Sequence, residues 1–355
     1  MNKEYVWWSL VNTSNSFISQ IKNRIECGKN IFLTCENLIP WENTFYELSR
    51  NALAEICSQK SLEFISAKNE NDPGRFIMMK MCPQAVRTEY WPDMTYAQFL
   101  AQYDDLVLNS RIVWIRDIEN DNLLEKWFEF IAEYCKLSEE HNHDHAVFVV
   151  EYSGKRSTKK PPSAINTIAF APTYFDRYIF ALSLLSELNT VFPMKQYIAD
   201  FACCLCKEDT ELCGCLVEAG LRLVQAPNVV VEEQLKTRRS NGDSFPVIEN
   251  DYINSCILMA QIKIIFPEIE KFRLNFIKNN ELLIKDKLPI INSFGEKIEE
   301  PSELELSDLC SISRMHLSGF SDVDKALLLR YRNYRNKLAH NNILYYQDIE
   351  TILIS

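Results

Sequence analysis

Five short apolar runs punctuate the first half of the chain, at residues 30–35 (NIFLTC), 61–66 (SLEFIS), 111–116 (RIVWIR), 146–152 (AVFVVEY) and 167–171 (TIAFA). Short β-branched and aromatic runs with no polar alternation read as strands buried on both faces, the habit of parallel sheets. Amphipathic stretches at residues 43–58, 96–108 and 123–137 separate them and read as helices. The pattern predicts a parallel α/β domain over residues 1–175, with helices on both sides of the sheet.

Beyond residue 175 the spacing turns helical. Residues 176–188 and 194–206 are the clearest helices, 228–234 reads as a short strand, and the polar segment 236–245 (KTRRSNGDSF) reads as a linker. The stretch 176–250 is therefore expected to be a helical lid or winged-helix-like region. Residues 251–355 read as a bundle of four helices, at 252–265, 268–279, 304–315 and 322–340. Pro301 breaks the chain before the third, and Ser302 with Glu305 has capping-box spacing. The expected fold class is α/β plus α, and no fixed-period repeat is evident.

Composition narrows the class. With 47% hydrophobic residues in 355, the chain can bury real cores, and its 8 glycines favour helices over a glycine-rich all-β design. No apolar run reaches the roughly 18 residues of a membrane span. The N-terminal stretch lacks the basic and long apolar regions of a signal peptide. A net charge of −11 argues against wrapping duplex DNA, yet leaves room for a small basic site for one RNA strand. Twelve cysteines without a secretory signal are expected as reduced thiols, and the cytoplasm as the compartment.

The strand–helix order of the first region resembles that of P-loop nucleoside triphosphatases, whose phosphate loop follows the first strand. Here that position reads Glu36-Asn37-Leu38-Ile39-Pro40-Trp41-Glu42-Asn43, with no glycine and no Lys-Ser/Thr pair. Gly28-Lys29 lies on the wrong side of the strand. Asp117 follows the third run where a magnesium-organising carboxylate would stand, with Glu119 after it, although a loop or helix-cap role is the favoured reading. The region resembles a degenerate ATPase module of the AAA or signal-transduction type. That resemblance implies a scaffold without nucleotide chemistry; an active ATPase with an unorthodox phosphate site is the less favoured reading.

Near the C-terminus, Leu327, Tyr331, Tyr334 and Leu338 form one apolar helical stripe. At about 100° per residue, Asn336 lies opposite that stripe with His340 a turn further on, Arg332 on the same polar side and Arg335 at its flank. Arg335-Asn336-Lys337-Leu338-Ala339-His340 resembles the Arg-polar-x3-His motif of HEPN domains, helical bundles that include many RNA-cutting toxins and defence nucleases. The resemblance covers about a hundred residues at most, with six of them specific. It implies a metal-independent site, commonly composite across a dimer, with His340 as general acid or base, Arg335 stabilising phosphate charge and Asn336 orienting either. RNA carries its own nucleophile in the 2′-hydroxyl, so proton transfer and charge stabilisation suffice. Cations near a helix C-terminus capped by Asn341-Asn342 would also have a purely structural use.

Cys203, Cys204, Cys206, Cys213 and Cys215 could supply four thiolates to zinc, but the connecting segment is short and both halves look helical. Buried free thiols are expected instead. His141, His143 and His145 alternate before a strand, an arrangement suited to a metal if extended, although a solvated loop is expected. The resemblance to HEPN domains implies a bacterial defence or toxin-type protein, and no cofactor, no metal and no membrane are expected. It would cleave or bind RNA as a homodimer or with a partner protein from the same system. The rival is a catalytically silent scaffold or regulatory interaction protein.

Overall fold

A computed structural model describes residues 2–56, 60–102, 108, 110–140, 145–154, 156–292, 295–315 and 319–354. The chain divides into two compact units, Met1–Phe180 with Ser240–Gly242, and Ala181–Arg239 with Asp243–Ser355.

The first unit is a parallel α/β domain, as the apolar runs predict. After a short N-terminal helical segment come α1 (Asn12–Glu26), β1 (Asn30–Cys35), α2 (Glu42–Ala52), β2 (Ser61–Ser66), α3 (Pro73–Met81), α4 (Tyr96–Gln102), β3 (Arg111–Arg116), α5 (Asp121–Glu140), β4 (Val147–Ser153) and β5 (Ile165–Phe170). The strands pair in the order β2-β3-β4-β1-β5, all parallel. β1 and β4 occupy the middle and are almost wholly buried, which is why their sequences show no alternation.

One sheet face carries Phe32, Val113, Ile115, Phe148 and Val150 against α3, α4 and α5. α5 presents Leu124, Trp127, Phe128, Ile131 and Tyr134 to that face at helical spacing. The opposite face holds Trp114 and Glu151 under α1 and α2, inside an aromatic cluster of Trp8, Phe17, Phe45, Tyr46 and Phe170. Residues 156–162, an irregular stretch before β5, are tied down: Asp121 accepts from the Thr158 backbone N–H at 3.1 Å, and Lys159 pairs with Glu125 at 2.5 Å.

Helix α6 (Tyr174–Leu184) begins before Phe180 and continues into the second unit. There follow α7 (Phe192–Cys206), α8 (Thr210–Glu218), α9 (Pro227–Leu235), α10 (Asn250–Asn279), a two-residue hairpin of β6 (Ile290–Ile291) and β7 (Lys297–Ile298), then α11 (Leu306–Arg314), α12 (Asp322–Ala339) and α13 (Tyr346–Ile354). Helices α7 and α10 pack together, and α12 packs on α10 and α11.

Four local readings change. Residues 228–234 are helical within α9, where Pro227 opens the first turn and Val230 and Val231 pack inward while Val229 stays exposed. Residues 252–265 and 268–279 belong to one helix. Pro267 removes an N–H, and the wider π turn Gln261–Ile265 absorbs the mismatch. Capping boxes form at Glu300/Glu303, Glu305/Asp308 and Ser321/Asp324, not at Ser302. Residues 236–245 fold back on themselves through a bridge between Arg238 and Ser244, and the Arg239 guanidinium meets Asp209, the N-cap of α8, at 2.7 Å.

Among the described helices, α10 is long and apolar enough to cross a membrane, with mean hydropathy 1.2 over its best window. Its middle nevertheless buries Gln261, and Lys263 on the same turn pairs with the buried Asp200 of α7.

Candidate functional site

In the first unit, the chain leaving β1 at Cys35 runs through Trp41 into α2. Trp41 is buried with φ 47° and ψ 59°, a left-handed conformation costly for a bulky side chain. Gly154, at the end of β4, donates its N–H to Cys35 and Asn37 carbonyls; a Cβ there would come within 2.8 Å of Leu38, and its φ of +71° also suits glycine. This packing closes the loop with side chains where a phosphate loop would need open backbone N–H groups.

At the C-terminal ends of the strands lies a cleft of about 320 Å³ lined by Glu42, Lys68, Asp117, Glu119, Glu151 and Ser153, among others. Chain connections leave β1 and β4 toward opposite edges of the sheet, so the cleft sits at the topological switch point. Asp117 follows β3 with φ 60°. The first turn of α2, where a helix dipole favours an anion, already carries Glu42.

Glu151 is the central group. It is 3% exposed and accepts hydrogen bonds from Trp114 Nε1–H at 2.8 Å and the Tyr46 hydroxyl at 2.9 Å. Burial pushes its carboxyl up to about 7 despite those two donors; the Glu42 carboxylate adds to the rise, and the Arg116 guanidinium opposes it. Burial, then Glu151 and Glu42, push the Tyr46 phenol far upward. Arg116 lies over the Tyr46 ring at 4.6 Å and reaches Glu42 at 3.9 Å. Sequence reasoning singled out Asp117 and Glu119 here but passed over Glu151, Tyr46, Trp114 and Arg116. The available signal was one acidic residue inside the run AVFVVEY.

In the second unit, the Arg335–His340 segment forms the last turn of α12. The buried stripe is Leu328, Tyr331, Tyr334 and Leu338; Leu327, assigned to it from spacing, is only half-buried. Tyr331 stacks on Phe272 of α10 with ring centroids 3.6 Å apart. The helix ends in a Schellman motif: Asn341 takes φ 57°, its N–H donates to the Leu338 carbonyl, and the Asn342 N–H donates to Lys337 at 2.8 Å. The capping role foreseen for these asparagines is therefore real.

His340 is the C-cap residue. Its backbone N–H donates to the Asn336 carbonyl at 3.1 Å, and its imidazole is exposed at the negative end of the helix dipole. Gln261 fixes the chain that follows: wholly buried, it donates to the Leu344 carbonyl at 2.9 Å and accepts from the Leu344 N–H at 2.8 Å. Lys337 pairs with Asp348 of α13 at 3.1 Å.

Arg335 turns toward α11, where its guanidinium lies 3.8 Å from Glu305; both side chains are substantially exposed, so the pair contributes at most about 1 kcal/mol. His340 stands five positions further on, about 140° around the axis. Asn336 shares the His340 side, whereas Arg335 does not. Arg332, expected with them, is half-buried, its Nε enclosed without a hydrogen-bond partner and its charge felt by Cys310 of α11.

Cys213 lies beside Cys203, 3.8 Å away sulfur to sulfur, and beside Cys206, while Cys204 turns away to Cys256 of α10. Among the described residues, no group of three or more His, Cys, Asp or Glu side chains is arranged to hold a metal ion. His145 is half-buried, its Nδ1–H directed at the Ala146 carbonyl at 2.8 Å; His141 and His143 lie outside the described residues. The chain matches no protein-family model, and no curated protein shows significant sequence similarity to it.

Proposed function

We propose that the C-terminal bundle is a HEPN-like, metal-independent RNA-processing module, acting in the cytoplasm in a bacterial defence or toxin setting. The observation that carries this reading is the exposed imidazole of His340, held at a fixed helix end by the Schellman turn and the Gln261–Leu344 clamp, with Asn336 on the same side. A base so placed takes the proton of an RNA 2′-hydroxyl as its oxygen attacks the adjacent phosphorus. The 5′-oxygen leaves, and a 2′,3′-cyclic phosphate remains. Arg335, released from its weak pairing with Glu305, supplies the planar cation that stabilises the phosphorane.

Because Arg335 and His340 diverge around one helix, the productive arrangement draws on two copies of the chain. A homodimer, or a partner from the same system, completes the site. His340→Ala and Arg335→Ala should each reduce cleavage of single-stranded RNA by roughly 10²–10⁴-fold while the circular dichroism spectrum stays unchanged. Loss of activity through unfolding, or no loss at all, would remove these residues from the chemistry.

For the first unit we propose a degenerate P-loop-like module that has kept a parallel sheet and lost the phosphate grip. The acidic switch-point cleft supports this, since Glu42 and Glu151 stand where an anion would have to sit. That cleft, together with the divergence of Arg335 and His340, also supports the second reading, a catalytically silent scaffold.

A further inference from the structure

Cys204 and Cys256 face each other from α7 and α10 with their sulfurs 2.7 Å apart. Two unbonded sulfurs normally rest near the separation of Cys203 and Cys213, 3.8 Å. The two helices are locked together at this level by other contacts. The Tyr252 hydroxyl donates to the Cys204 carbonyl at 2.8 Å, and the Lys207 ammonium lies over the Tyr252 ring at 4.7 Å. A turn or two further along the same helix pair, Lys263 of α10 meets Asp200 of α7, and Gln261 donates to the Tyr197 hydroxyl at 3.3 Å. A bond between the sulfurs therefore needs only a small side-chain adjustment, with no backbone rearrangement.

We propose that Cys204 and Cys256 form a reversible redox pair, oxidised by a peroxide to a disulfide that staples α7 to α10. The two thiols are suited to different roles. Cys204 is half-buried and within reach of a small oxidant, whereas Cys256 is 1% exposed. The neighbouring Cys256 thiol and the Lys263 ammonium hold Cys204 below the ordinary thiol range, against burial and the Asp200 carboxylate. Its Cys204 neighbour and burial raise Cys256 far above that range. Cys204, as thiolate, attacks one peroxide oxygen, the O–O bond breaks, and after proton transfer a sulfenic acid and water result. The Cys256 sulfur then attacks the sulfenic sulfur, the S–O bond breaks, and a second water leaves carrying the Cys256 proton. Two thiols have been oxidised, and one peroxide reduced to two waters.

The test treats the full-length, fully reduced protein with hydrogen peroxide at low stoichiometry, alkylates the remaining thiols without unfolding, and maps the peptides by mass. The expected result is a Cys204–Cys256 cross-linked peptide, lost on addition of dithiothreitol. In Cys256→Ser, a sulfenic-acid probe such as dimedone should label Cys204, with no cross-link formed. If wild-type protein exposed to peroxide keeps both thiols reduced, or links either of them to a different cysteine, the proposal is overturned.

Discussion

Glu151→Gln should abolish a pH dependence of stability that the wild-type first unit shows between about pH 4.5 and 7. The folded carboxyl holds its proton up to about 7, against an ordinary value of 4.5. Below the lower value, folded and unfolded chains are both protonated and the group's contribution is intact. As pH rises, the unfolded chain gives up its proton first, so stability falls progressively until the folded carboxyl ionises as well. A rise from 4.5 to about 7, at about 1.4 kcal/mol per unit, amounts to about 3–4 kcal/mol. The side chain is 3% exposed, so solvent screening takes little from that figure. Glutamine imitates the protonated carboxyl, keeping a carbonyl oxygen for Trp114 Nε1–H and an amide that can donate toward the Tyr46 hydroxyl. All 6 tryptophans lie between Trp7 and Trp127, so urea titration followed by tryptophan fluorescence reports the first unit selectively. Between pH 5 and pH 8 the wild type should lose about 2–3 kcal/mol more than the variant. Glu151→Ala should instead cost about 2–4 kcal/mol at pH 5, because Trp114 Nε1 loses its acceptor and a cavity opens. Parallel pH profiles for wild type and Glu151→Gln would show instead that Glu151 titrates as an ordinary carboxyl.

Calorimetry with ATP and magnesium should find no binding tighter than about 1 mM, because the α2 N-terminus already faces Glu42 and Glu151; micromolar affinity would restore the active-ATPase reading and make Asp117 a magnesium-site candidate. Gln261→Ala should destabilise the second unit by about 2–4 kcal/mol, measured by differential scanning calorimetry, since it strands both backbone groups of Leu344 in the interior; a change below about 0.5 kcal/mol would mean that the turn after His340 does not depend on this clamp.

The strands were legible because burial on both sides leaves a plain apolar run, and β1, β2 and β3 begin and end where the runs do. The valine-rich 228–234 segment misled for the same reason: β-branched residues speak for a strand only until Pro227 and tertiary packing set a helix. The stretches 252–265 and 268–279 are one helix because the π turn Gln261–Ile265 accommodates Pro267, and such a turn leaves no mark in the sequence. Helical spacing put Asn336 and His340 on one side and Arg335 at the flank. It could not reveal that Glu305 receives Arg335, nor that Gln261, 79 positions before His340, pins the chain leaving the motif. The Glu151 cluster escaped notice because its members come from β3, β4 and α2, and only the sheet order brings them together.

The most direct test of the central claim is the end chemistry of RNA incubated with the protein in EDTA, with wild type beside His340→Ala. The wild type should leave fragments ending in 2′,3′-cyclic phosphate, the variant none, and neither should cut at a position carrying a 2′-deoxy sugar. Cleavage that His340→Ala retains, that vanishes with EDTA, or that proceeds at a 2′-deoxy site would contradict the claim. So would a wild-type dimer that leaves every RNA intact, in which case the bundle serves as a scaffold.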